Sequence, residues 1–115
     1  MDFAPFTEER PWGGFRQLSQ NSPSTVKILT IRSGEAFSLQ YHERRSEFWL
    51  VLSGHPRITL GEEIIDANPG DEFSIEAKTK HRIEGVSDEV KVLEISFGEF
   101  DEKDIVRLDD KYGRN

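Results

Sequence analysis

The sequence contains no cysteine, no long apolar run and fewer basic than acidic residues. Without cysteine, the chain can form neither disulfide bonds nor thiolate metal sites. No apolar stretch approaches the roughly 18 residues that suggest a membrane-spanning helix. The first residues carry early charges and prolines instead of the apolar core of a signal peptide. We therefore expect a cytoplasmic protein that does not enter a membrane.

The charge balance is negative, with 22 acidic and 15 basic residues and a net charge of −7. An acidic surface repels a phosphate backbone, so nucleic-acid binding is not expected. Two short basic clusters interrupt this surface, one at Arg44-Arg45 and one formed by Lys78, Lys80 and Arg82. They are either ordinary solubilising charges or a local attraction for an anionic small molecule.

The apolar segments are short, rich in β-branched and aromatic residues, and separated by turn residues. They run from TVKILTIR at 25–32 to VKVLEISF at 90–97. This pattern predicts about eight strands in an all-β sandwich or barrel, and 115 residues suit one domain. Gly61-Glu62, between two alternating segments, predicts a hairpin turn.

Three regions are expected along the chain. Residues 1–24, with several prolines and glycines, should form an extended N-terminal arm. Residues 25–100 should form the β-barrel. Residues 101–115 should form a short helical or irregular tail that packs on the barrel.

Polar side chains interrupt the otherwise apolar stretch SLQYHERRSEFW. Gln40 and His42 are two residues apart and would share one face of a strand. Glu47 opens the next strand, and a carboxylate there is costly unless it is paired or binds a metal. His81 begins a later strand that a barrel could bring to the same interior. These nitrogen and oxygen donors suit one borderline divalent cation such as Zn, Mn, Co, Fe or Ni, although a lone histidine is more often a hydrogen-bonded or surface residue.

The spacing of these residues resembles the first motif of the cupin superfamily, which is a glycine, a His-x-His pair, a glutamate and a second glycine. The positions that match are Gly34, Gln40, His42, Glu47 and Gly54. Glutamine replaces the first histidine. Of the second cupin motif only Gly70 and His81 remain. The resemblance implies a jelly-roll β-barrel.

A narrower resemblance covers nearly the whole chain. The segments RPWGGF, LQYHERRSEFWLVLSG, KHRIEG, SFGEF and DIVRLDDKYGR are similar to type II phosphomannose isomerases. In many of these the cupin is the C-terminal part of a bifunctional enzyme that also carries a mannose-1-phosphate guanylyltransferase domain. The resemblance implies a metal held by Gln40, His42, Glu47 and His81. It also implies a homodimer, and it places Arg114 at the terminal arginine of the family pattern.

The function implied is a metal-dependent aldose–ketose isomerase that converts mannose 6-phosphate to fructose 6-phosphate. The metal would polarise the sugar oxygens while a base moves a proton. The catalytic base is not identified, and acidic tail residues such as Asp104 are candidates. The candidate phosphate-binding residues are Arg45, Lys80, Arg82 and Arg107, because guanidinium and ammonium groups attract phosphate. The alternatives are a non-catalytic sugar- or small-molecule-binding cupin, or a cupin with other metal chemistry.

Overall fold

A computed structural model of the chain describes residues 4–110, 112 and 113. Within those residues there are eleven strands and no helix. The strands are β1 (Phe6–Arg10), β2 (Gly13–Gln17), β3 (Ser24–Ile31), β4 (Leu39–Tyr41), β5 (Ser46–Ser53), β6 (Arg57–Leu60), β7 (Glu63–Asp66), β8 (Glu72–Ile75), β9 (His81–Glu84), β10 (Val90–Phe97) and β11 (Val106–Asp109). The predicted all-β fold class is confirmed.

Most of the strands belong to two antiparallel sheets. One sheet has the order β3-β10-β5-β8, and the other has the order β11-β4-β9-β6-β7. A single hydrophobic core contains residues of both sheets, with Trp49 and Val92 from the first and Ile58 and Ile83 from the second. The two sheets therefore pack face to face, as in a jelly roll.

Strands β5 and β10 have nearly continuous apolar sequences because both of their faces are covered. They are the two central strands of the four-stranded sheet. Trp49 and Val92 face the core between the sheets, whereas Phe48 and Ile95 are buried on the opposite face. A continuous apolar run is the expected signature of such a strand.

The inward-facing positions change from apolar to polar towards one end of the core. At the apolar end they are Val51, Ile83, Val90 and Val92. At the polar end they are Glu47, His81, Glu94 and Ser96. The change occurs at paired positions of β5 and β10, and His81 of β9 lies beside Glu47, so the polar residues come together at one end of the core.

Two regions differ from the expected outline. Part of the N-terminal arm is the hairpin β1–β2, and Arg16 joins it to Glu72 of β8 through an ion pair of 2.7 Å. Part of the tail is strand β11, which pairs with β4 and is not helical. The predicted helical candidate is therefore wrong, because edge pairing satisfies the backbone of this segment. Arg114 lies outside the described residues.

The hairpin predicted at Gly61-Glu62 is confirmed, since β6 and β7 pair antiparallel on either side of it. Gly61 has a φ of 58°, a left-handed conformation that glycine adopts without steric cost. Among the residues described, no helix is long and apolar enough to cross a membrane.

Candidate metal centre

Three buried side chains converge at the polar end of the core. They are His42, which directly follows β4, Glu47 from β5 and His81 from β9. Glu47 Oε1 lies 3.3 Å from His81 Nε2 and 3.7 Å from His42 Nε2. One potential ligand atom from each residue falls within 4.8 Å of the others. The three residues are at most 2% exposed, so this is an interior cluster.

Backbone carbonyl groups fix which nitrogen of each ring faces the cluster. His42 Nδ1 lies 2.6 Å from the carbonyl oxygen of Asp104, and His81 Nδ1 lies 2.9 Å from that of Thr79. A carbonyl oxygen only accepts hydrogen bonds, so each Nδ1 carries the proton and donates it. Each Nε2 therefore directs a lone pair towards Glu47, which is the usual arrangement for a metal-binding histidine.

The local electrostatics also favour lone-pair donors. Burial lowers the pKa of His42 and that of His81 to about 4, so both rings are neutral at physiological pH. Burial raises the pKa of Glu47, and the neighbouring Arg45 counteracts part of that rise. Neither Glu47 Oε1 nor His81 Nε2 has a hydrogen-bond partner. Such unsatisfied buried acceptors are costly, and a cation would satisfy both of them.

The cluster fits a divalent metal by donor type and by spacing. In a tetrahedral zinc site with bonds of about 2.1 Å, neighbouring ligand atoms lie about 3.4 Å apart. The separations of 3.3 and 3.7 Å are close to that value. His42, Glu47 and His81 would hold such an ion, which when bound supplies a Lewis acid for an oxygen ligand.

Gln40 and Arg107 lie in the same row of the five-stranded sheet as His81. Gln40 is the direct cross-strand partner of His81 and also of Arg107, so the three side chains share one face. Gln40 Oε1 accepts a hydrogen bond of 3.0 Å from the Ser38 hydroxyl group, and an amide oxygen has two lone pairs. Arg107 Nε is buried without a hydrogen-bond partner.

The other candidate phosphate-binding residues are divided between the site and the surface. Arg45 reaches the cluster, with Nη2 3.1 Å from His42 Nε2. Lys80 instead pairs with Glu62 at the surface, at 3.2 Å. Arg82 is one residue after His81, so it faces the other side of the sheet, where it contacts Asp109 and the Phe37 carbonyl oxygen. The structure therefore does not bring Lys80 and Arg82 to the cluster.

Further polar residues of the site were not identified from the sequence. Ser96 donates a hydrogen bond of 3.1 Å to Glu47 Oε2, and Trp49 Nε1 donates one of 3.2 Å to Glu94 Oε2. Burial, and then the nearby charge of Glu47, raise the pKa of Glu94 to about 7. Alternation within VKVLEISF places Glu94 and Ser96 on one face, but only the pairing of β10 with β5 reveals their neighbours.

Asp104 positions the loop that follows His42. Its carboxylate accepts hydrogen bonds from the backbone N–H groups of Glu43, at 2.8 Å, and Arg44, at 3.1 Å. Burial opposes ionisation, but these donors outweigh it and lower the pKa of Asp104. Both carboxylate oxygens are thus engaged in holding the loop, which argues against the catalytic base considered above.

Replacing Asp104 by alanine is expected to lower the free energy of unfolding by about 2 kcal/mol, because two N–H groups lose a charged acceptor. Urea unfolding followed by circular dichroism measures the change. Asp88→Ala is the matched control, since Asp88 also accepts a backbone N–H, that of His55, but its side chain is 38% exposed. A loss no larger than that of Asp88→Ala would contradict the proposed role of Asp104.

Two facing antiparallel sheets with a His-Glu-His cluster at one end define the chain as a cupin. Solved structures agree with this class. A cupin protein from Bacteroides fragilis is 25% identical with a TM-score of 0.60, covering 70% of this chain and 74% of its own. The capsular polysaccharide assembling protein CapF from Staphylococcus aureus is 18% identical with a TM-score of 0.67, covering 94% of this chain and 35% of its own.

The chain belongs to the family described as "Mannose-6-phosphate isomerase C-terminal", whose profile matches residues 5–110. Among curated relatives, the xanthan biosynthesis protein XanB of Xanthomonas campestris is 34% identical over 107 residues. The mannose-1-phosphate guanylyltransferase RfbM of Salmonella typhimurium is 34% identical over 106 residues. These alignments cover 91% and 90% of this chain but only 23% and 22% of the relatives, so the chain spans less than a quarter of their length.

The names of the relatives contradict the predicted isomerase reaction. They are guanylyltransferases and polysaccharide biosynthesis proteins, not phosphomannose isomerases. The prediction of an enzyme that isomerises mannose 6-phosphate is therefore wrong. The physical reason is that a cupin metal site and its scaffold serve many reactions, so the ligand pattern does not define the chemistry.

Proposed function

We propose that this chain is a binding module that holds one divalent cation at His42, Glu47 and His81, with Gln40 as a fourth ligand. The single observation that carries the proposal is the convergence of three buried acceptor atoms, two of which have no hydrogen-bond donor. A cluster that contains only acceptors is best satisfied by a cation, and its mixed nitrogen and oxygen set suits zinc, manganese or cobalt.

The ligand of the module is an anionic sugar, by two arguments. Arg45 and Arg107 each have a buried Nε atom without a hydrogen-bond partner, and guanidinium groups match phosphate oxygens. The named relatives include mannose-1-phosphate guanylyltransferases, so mannose 1-phosphate is the first ligand to test. In this proposal the module binds a phosphorylated sugar on behalf of a guanylyltransferase, in the cytoplasm, and has no turnover of its own.

Titration calorimetry with Zn²⁺, Mn²⁺ and Co²⁺ on chelator-treated protein tests the metal site. We expect one metal ion per chain for at least one of these metals. His81→Ala and Glu47→Gln should each weaken binding by about 100-fold or more, because each removes one of few ligands. His55→Ala is the matched control, since His55 is 62% exposed and pairs with Asp88 outside the cluster.

Two outcomes would contradict the proposal. One is the absence of binding with every metal, and the other is an equal effect of His55→Ala and His81→Ala.

The anion is tested separately with the metal-loaded protein, by comparing mannose 1-phosphate with mannose. Preference for the phosphorylated sugar, reduced by Arg107→Ala, is expected. Equal binding of the two sugars would exclude the anionic ligand while leaving the metal site intact.

A further inference from the structure

The Arg45 side chain occupies the edge of the metal cluster. It is only 10% exposed, and its Nη2 lies 3.1 Å from His42 Nε2. Its Nε lies 3.4 Å from Glu47 Oε2, an ion pair without the geometry of a hydrogen bond. The guanidinium group thus contacts two of the three residues that would bind a cation.

This contact uses an electron pair that a metal would need. The Nδ1 proton of His42 is donated to the Asp104 carbonyl oxygen, so Nε2 has one lone pair directed inwards. That lone pair accepts either the Arg45 N–H or a metal ion, but not both. Two positive charges within a few ångströms of each other in the protein interior also repel strongly. The guanidinium and the metal are therefore alternatives at the same place.

We propose that Arg45 is a built-in competitor of the metal, which must leave the cluster before the ion can bind. The inference rests on the proposed metal site and adds its regulation. In the metal-free state Arg45 balances the buried charge of Glu47. In the metal-bound state its guanidinium is free to bind an anion, so the metal binds first and the phosphorylated ligand second.

The surroundings of Arg45 indicate where its side chain would lie after a metal displaces it. Asp104 holds the backbone N–H groups of the two preceding residues, Glu43 and Arg44, so we expect only the Arg45 side chain to be displaced. The guanidinium carbon already lies 4.6 Å from the centre of the Phe100 ring, and Nη1 lies 3.4 Å from the Asp101 carbonyl oxygen. A cation over an aromatic face is stabilised, so Phe100, whose ring Lys27 Nζ also contacts at 4.3 Å, keeps the displaced guanidinium group beside the cluster.

Metal titration of Arg45→Ala and Arg45→Gln beside the wild type tests the competition. Both variants should bind the metal more tightly than the wild type, by about 5- to 150-fold, the usual range for coupled sites. Arg44→Ala is the matched control, because Arg44 is the neighbouring arginine, is 69% exposed and pairs with Asp101. Its metal affinity should equal that of the wild type. Circular dichroism establishes that each variant is folded.

The second measurement uses inorganic phosphate as the probe. Metal should strengthen phosphate binding in the wild type, and this gain should disappear in both Arg45 variants. Wild-type metal affinity in the Arg45 variants would overturn the competition while leaving the metal site established. Metal binding by the Arg45 variants but not by the wild type would support the competition and contradict the proposed function of the wild type. Metal binding by none of the proteins would overturn both.

Discussion

Replacing Trp49 by alanine is expected to lower the free energy of unfolding by about 3–5 kcal/mol, the largest loss for any single side chain of this core. Trp49 is fully buried, and its ring packs edge-on against Phe37 and against His81, with a centroid distance of 5.5 Å to the latter. The substitution leaves a large cavity between the sheets and removes the hydrogen bond to Glu94.

Guanidinium chloride unfolding followed by far-ultraviolet circular dichroism measures this loss. Trp12→Ala is the control, since Trp12 is 73% exposed and its replacement should change stability by less than about 0.5 kcal/mol. Trp49→Phe keeps an aromatic ring in the core but removes the N–H donor and part of the ring volume, and it should cost about 1–2 kcal/mol. Equal losses for Trp49→Ala and Trp12→Ala would show that the core is not centred on Trp49.

Replacing Gly54 by alanine should lower the free energy of unfolding by about 3–4 kcal/mol, from two additive causes. Gly54 has a φ of 82°, and a left-handed conformation costs a non-glycine residue about 1–2 kcal/mol. An added Cβ atom would also lie 2.3 Å from the Glu89 carbonyl oxygen and 2.9 Å from Val90 Cα. Because both obstacles are backbone atoms, the strands must shift, as in an overpacked core.

Gly61→Ala isolates the first of these causes. Gly61 also has a positive φ, of 58°, but a Cβ atom there would meet open space. Its replacement should cost only about 1–2 kcal/mol, which is the conformational cost alone. Chemical unfolding of the two variants in parallel gives the difference. If the two losses are equal, the close approach of Gly54 to Glu89 does not contribute to stability.

The parts of the fold that sequence predicts well are those whose pattern is local. The alternation of β6 and the continuous apolar runs of β5 and β10 follow from the surroundings of each face. The hairpin β1–β2 was missed, because FTEER and GGFRQ are mostly exposed and carry little apolar alternation. Strand β11 was missed because its pairing partner β4 lies more than sixty residues earlier in the chain.

The same distinction applies to the candidate site. The cluster of His42, Glu47 and His81 could be proposed from motif spacing, because the motif encodes the register of the strands. Glu94 could not, because its position next to Trp49 depends on how β10 pairs with β5. The placement of Arg82 outside the cluster follows from alternation after His81, because neighbouring residues of a strand face opposite sides of the sheet.

The acceptors that orient the two histidine rings have a consequence for how this family can diverge. Both acceptors are main-chain carbonyl oxygens, those of Asp104 and Thr79. In many metal sites a side-chain carboxylate performs this task, and a single mutation can delete it. Here the genetic code offers no substitution at either position that removes the oxygen. The orientation of the rings is thus inherited with the path of the backbone, whichever side chains stand at positions 79 and 104, and the Asp104 carboxylate is needed for the loop and not for the ring.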